Sequence, residues 1–128
     1  MKYLPDTQIM LWFLAEPEKL PDSVIADLNE AAPAPLFSAV SIWEVAIKQS
    51  LGRADFKADA ETVRAQLLLA GWQELAFTGM HAAQIASLPN IHKDPFDRAL
   101  LAQALVEEAV LLTSDAILAS YPGPVRQV

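Results

Sequence analysis

Residues 92–115 read HKDPFDRALLAQALVEEAVLLTSD, and this stretch decides the fold. Asp94 stands where a helix N-cap belongs, with Pro95 at the first helical position and Asp97 in the first turn. From Pro95 to Glu107 there is no further breaker, so the segment reads as a strong helix. Ala109 to Thr113 is a short run rich in Val and Leu, which reads as a strand, and Ser114-Asp115 closes it.

Working outward, the same alternation recurs. Lys2 to Leu4 is a short apolar start ended by Asp6, and Gln8 to Leu14 a short helix stopped near Pro17. Asp22 to Ala32 reads as a helix with Val24, Ile25 and Leu28 on one face, broken by Pro33 and Pro35. Leu36 to Ala39 is a second strand. Ser41 to Leu51 and Ala60 to Ala70 are helices ended by Gly52 and Gly71. Trp72 to Phe77 reads as a strand, Gly79 to Ser87 as a short helix and Asn90 to Asp94 as a polar turn. Asp115 to Ser120 forms a last short helix and Val125 to Val128 a last strand. Strands alternating with helices predict a parallel sheet covered on both faces. In open parallel sheets, ligands bind beyond the carboxyl ends of the strands.

The composition is consistent with one domain spanning residues 1–128. Apolar residues make up 53% of the chain, enough to build a core. With no cysteine, disulfides and thiolate metal sites are excluded, and a reducing compartment fits. The early charges at Lys2 and Asp6 do not suit a signal peptide, and no apolar run approaches the ~20 residues of a membrane span. A cytoplasmic protein is expected, with no membrane partner. Nine Lys and Arg against sixteen Asp and Glu give a net charge of −7, a balance that steers no nucleic acid by itself.

The distribution of the acids is more informative. Asp6 follows the first strand, Glu44 lies just after the second, Asp115 follows Val110 to Ser114, and Asp97 opens the long helix. A doubly wound sheet brings such places to one edge. Carboxylates gathered there raise one another's pKa unless a cation offsets them. Mg²⁺ is the natural partner, since it takes oxygen ligands and suits a few carboxylates plus substrate phosphate. Taken singly, each acid also fits a helix cap. Ser41 with Glu44 matches a capping box, and Asp94, Asp115 and Asp6 precede helices. The two roles are compatible, because helix starts lie at that same edge.

Other residues carry less. Lys48 lies one helical turn beyond Glu44 and is placed for an ion pair. Arg98 and Lys93 are candidates for phosphate contact or for a solvated face. Thr113 and Ser114 are placed to support Asp115. His81 and His92 lack metal-ligand spacing and show no partner in the sequence. Trp12, Trp43 and Trp72 read as core or subunit interface. No GxGxxG, P-loop, zinc signature or nucleophile elbow is present.

Four segments together resemble the PIN-domain family, specifically its VapC-type toxins. They are Leu4-Pro5-Asp6-Thr7, Ser38 to Glu44, His92 to Arg98, and Leu112-Thr113-Ser114-Asp115. The resemblance implies a three-layer α/β/α fold with a central parallel sheet. It implies Mg²⁺- or Mn²⁺-dependent cleavage of RNA, with Asp6, Glu44, Asp97 and Asp115 as the catalytic and metal-holding acids. Asp6 and Asp97 match the positions most often credited with the metal, while Asp94 matches a cap or supporting acid. It also implies a homodimer and a cognate antitoxin that blocks the active site, with DNA contacted only through the antitoxin.

Two positions depart from the family pattern. Pro5 stands where an aliphatic residue is usual; proline lacks a ladder donor, so a bulge is expected just before Asp6. Gln8 stands where histidine is frequent. Two other readings fit part of the pattern: a PIN-like interaction domain without activity, and a phospho-acceptor receiver. The second wants adjacent acids after the first strand and a lysine after a late one, and neither is present.

Overall fold

The computed structural model describes residues 1–128, and in it each strand but the last is followed by one or two helices. The strands are β1 (Tyr3–Pro5), β2 (Leu36–Ser38), β3 (Gln73–Leu75), β4 (Val110–Thr113) and β5 (Val125–Gln127). The helices are α1 (Thr7–Ala15), α2 (Asp22–Glu30), α3 (Ala39–Ser50), α4 (Ala60–Leu69), α5 (Gly79–Gln84), α6 (Pro95–Glu107) and α7 (Ala116–Ala119). All strand pairs are parallel, in two ladders, β1-β4-β5 and β2-β3. β1 lies beside β2, so the ladders form one layer in the order β3-β2-β1-β4-β5. No helix is long and apolar enough to cross a membrane.

Neighbouring strand residues enter opposite cores, which makes the fold three-layered. Leu36 and Leu111 join a cluster with Leu100, Leu101, Ala104 and Leu118 of α6 and α7. Phe37 and Leu112, one residue on, join the other cluster with Ile9, Met10, Val45 and Leu67 of α1, α3 and α4. Side chains alternate across a strand, so each of these short strands serves both faces.

The expected bulge at Pro5 is absent. Tyr3, Leu4 and Pro5 run in step with Val110, Leu111 and Leu112. Lys2 C=O accepts from Val110 N–H, and Asp6 N–H donates to Leu112 C=O. Backbone groups alternate along a strand, so Pro5 turns away from β4 and toward β2. Its missing donor therefore falls at the gap between the two ladders and costs β1–β4 nothing.

The capping box expected at Ser41 and Glu44 is also absent. Ser38 caps α3, its hydroxyl oxygen accepting from Val40 N–H at 3.0 Å. The same hydroxyl donates to Gln103 Oε1, and Gln103 is fully buried on α6. This polar contact between β2 and α6 starts the helix at Ala39. Glu44 consequently lies inside α3, more than a turn from its start, rather than in a turn after the strand.

Candidate active site

Three of the four acids are placed by a helix start. Asp6 leaves β1 and caps α1, one oxygen accepting from Ile9 N–H at 2.9 Å. Asp94 caps α6 through Phe96 and Asp97 N–H, which fixes Asp97 in the first turn. Asp115 caps α7 through Ile117 N–H at 2.8 Å, and its second oxygen stays free of that duty. Glu44 projects from α3.

Tertiary packing then brings all four into one cleft of ≈ 230 Å³, together with Asp94 and Lys48. Ser114 and Gln8 also line it. Asp6 is tied across the sheet, its second oxygen accepting from the Thr113 hydroxyl at 2.6 Å. Thr113 in turn accepts from Asp115 N–H at 3.0 Å, linking the two acids through one buried side chain. Glu44 accepts from the Thr7 hydroxyl at 2.7 Å, and Thr7 lies 2.9 Å from the Ser41 hydroxyl. The other Glu44 oxygen pairs with Lys48 at 2.9 Å.

Asp97 is placed differently. One of its oxygens lies 3.0 Å from His92 Nε2, and that nitrogen is also 3.2 Å from Asp115. Burial pushes the Asp97 carboxyl up to about 7; Asp94 and Asp6 add to the rise, and His92 opposes it. Burial raises Asp6 as well, against the hydrogen bonds from Thr113 and Ile9 N–H, while Glu44 and Asp115 push it further up. A nearby cation would oppose both shifts, because it favours the charged carboxylates. The donor set fits a divalent metal: oxygen-rich, partly buried, with one imidazole.

Several residues singled out in the sequence fall elsewhere. Arg98 turns away from the cleft. It donates to Pro89 C=O at 2.9 Å, to the Tyr121 hydroxyl at 3.0 Å and to Ile85 C=O at 3.4 Å, pinning the loop before α6. His81 is buried on α5, against the far end of α6. Thr78 N–H donates to its Nδ1, so the ring proton sits on Nε2 and is given to Glu107. Trp72 is in the core, Trp12 is partly buried against it, and Trp43 is 60% exposed beside Phe96. His92, like His81, has no partner in the sequence; its signals there are its place two residues before the Asp94 cap and in the segment His92 to Arg98.

A wider groove of ≈ 730 Å³ runs between α1 and residues 55–66, lined by Trp12, Phe56 and Val63 among others. Gln8, Leu11 and Phe56 line both groove and cleft, so the two are continuous.

A sequence model of the PIN domain matches residues 3–124. The structure is similar to VapBC2 from Rickettsia felis, solved bound to a DNA fragment from its promoter, with TM-score 0.73 and 17% identity over 99% of this chain and 98% of that one. It is similar to DNA-bound VapBC from Salmonella typhimurium, with TM-score 0.68 and 14% identity over 99% and 98% of the two chains. It is also similar to VapBC-1 from nontypeable Haemophilus influenzae, with TM-score 0.63 and 21% identity over 90% and 87%. No match to a curated protein sequence was found. At these identities the structural likeness speaks to fold alone.

Proposed function

The chain belongs to the PIN-domain family, and on that premise we propose that it is a divalent-metal-dependent endoribonuclease, the toxin of a VapBC-type toxin–antitoxin pair. One observation carries the reading: Asp6, Glu44, Asp97 and Asp115, spread over the whole sequence, line a single cleft. Caps alone require no such convergence.

Asp6, Glu44, Asp97 and Asp115 would hold Mg²⁺ or Mn²⁺. When bound, the ion supplies Lewis acidity at the phosphate and offsets the gathered negative charge. The chain's own residues provide the orientation. Thr113 and Ile9 N–H hold Asp6, and Thr7 and Lys48 hold Glu44. Lys48 is a half-exposed cation lining the cleft, well placed for an RNA phosphate in an otherwise acidic protein.

The partner reading has its own support. The groove that opens into the cleft suits a segment of a cognate antitoxin, which would block the site while its own DNA-binding part contacts the operator. Trp43 and Ile47 on α3, with Leu51 just past its end, form an exposed stripe, which suits a homodimer.

Purified protein with Mn²⁺ or Mg²⁺ is expected to cleave RNA. Asp6→Asn should abolish cleavage while keeping the α1 cap, since asparagine caps as well as aspartate. Cleavage that survives both Asp6→Asn and Asp97→Asn sinks the nuclease assignment. Growth arrest by this chain, relieved by co-expressing the adjacent open reading frame, tests the toxin half.

A further inference from the structure

We propose that His92 is a nitrogen ligand of the divalent ion, completing with Asp97 and Asp115 a mixed nitrogen–oxygen site. The inference rests on reading the cleft as a metal centre and adds a residue to it.

The ligand atoms are already gathered. His92 Nε2, one Asp97 oxygen and one Asp115 oxygen all lie within 4.8 Å of one another. Nε2 is 3.0 Å from the first and 3.2 Å from the second. For metal–ligand bonds of about 2.1 Å, adjacent ligands of an octahedron stand roughly 3.0 Å apart. Hydrogen bonding alone serves this trio poorly. A neutral imidazole has at most one proton on Nε2, and two carboxylate oxygens face it. A cation accepting the Nε2 lone pair and both oxygens satisfies all three.

The backbone around His92 is held for the task. His92 N–H donates to the Tyr121 hydroxyl at 2.7 Å, and the same hydroxyl lies 3.4 Å from His92 C=O. Arg98 braces that hydroxyl at 3.0 Å. Tyr121 is buried at 4% exposure, so a core residue anchors this loop histidine. Asp115 spends one oxygen on its cap and turns the other toward His92. Pre-set ligand direction of this kind is what a metal site requires. Imidazole suits Mn²⁺ and other transition metals better than Mg²⁺, which prefers oxygen and retained water.

The test uses the full chain and Mn²⁺ alone. Pulsed electron paramagnetic resonance of the bound ion should show coupling to a directly ligated imidazole nitrogen. The chain has two histidines, so His81→Gln should keep the coupling and His92→Gln should remove it. In direct titration His92→Gln should weaken Mn²⁺ binding about tenfold or more, and Mg²⁺ binding less. If His92→Gln does not fold, retention of the coupling in His81→Gln still identifies His92. Bound Mn²⁺ with oxygen ligands only, or nitrogen coupling that survives His92→Gln, overturns the ligand proposal and leaves the nuclease reading standing. No Mn²⁺ binding at all overturns both.

Discussion

The two sides of the cleft are built on opposite terms. On the β1–α3 side, both oxygens of Asp6 and both of Glu44 have hydrogen-bond or ion-pair partners within the chain. On the α6 side, the Asp97 carboxylate has one hydrogen-bond partner, His92, and is pushed up to about 7. Satisfied carboxylates are rigid and remain in place without help. Burial raises both Asp6 and Asp97, but Asp97 has only one hydrogen-bond partner to set against it, so a cation would relieve it most. Asp6 and Glu44 define the frame of the cleft, and Asp97 is the acid with an oxygen to spare.

The largest expected effects come from the acids themselves, and Asp97 on the open side tests the contrast most directly. Asp97→Asn should lower RNA cleavage at least about a hundredfold, in the range seen when one stabilising group is removed from an active site. Circular dichroism should stay native, because Asp94 supplies the α6 cap. A well-folded Asp97→Asn variant with near-normal cleavage would break the division drawn here.

Next comes the frame. Thr113→Val removes the hydroxyl that donates to Asp6 and accepts from Asp115 N–H. Loss of a buried, charge-assisted bond should cost about 2 kcal/mol in urea unfolding. Cleavage should fall about 10–100-fold through misplacement of Asp6. An unchanged unfolding midpoint would show that the satisfied side gains nothing from Thr113.

The pH response sharpens the contrast. Asp97 titrates near its ordinary value of 3.8 in the unfolded chain and at about 7 when folded and metal-free. Between those values the folded state holds the extra proton. Its stabilisation is full below the lower value and is lost as pH rises through the upper one. Asp6, also raised, acts in the same direction. Melting of the metal-free chain should therefore drop by roughly 3–6 °C between pH 5 and 8. Asp97→Asn should flatten that slope, and a melting temperature that rises over this window would contradict the assignment.

Two small effects serve as controls. His81→Gln disturbs the Thr78 cap and the Glu107 contact, at a cost of about 1–2 kcal/mol, and should leave cleavage unchanged. Pro5→Val should change cleavage by less than about twofold, since the β1–β4 register is held by backbone bonds of Lys2 and Asp6 in which Pro5 takes no part.

Much of this was legible along the chain. The α6 segment and its Asp94 cap, and the strands near Leu36, Val110 and Val125, follow from breakers and apolar runs, and all were expected close to their observed bounds. Ser41 misled because two serines precede Glu44 and only packing against Gln103 selects Ser38 as the cap. Pro5 misled because proline is harmful only on the paired side of a strand, and the sequence does not say which side is paired.

By itself the sequence determined the order of elements, the alternation that makes them α/β, and the acids at strand ends and helix starts. These depend on neighbours a few residues away. Only the tertiary structure decided that Thr113 grips Asp6 across 107 residues, that Arg98 turns inward to Tyr121, and that His92 faces Asp97 and Asp115. Those contacts arise where separate elements pack together, and no local pattern encodes the direction in which a loop side chain will face.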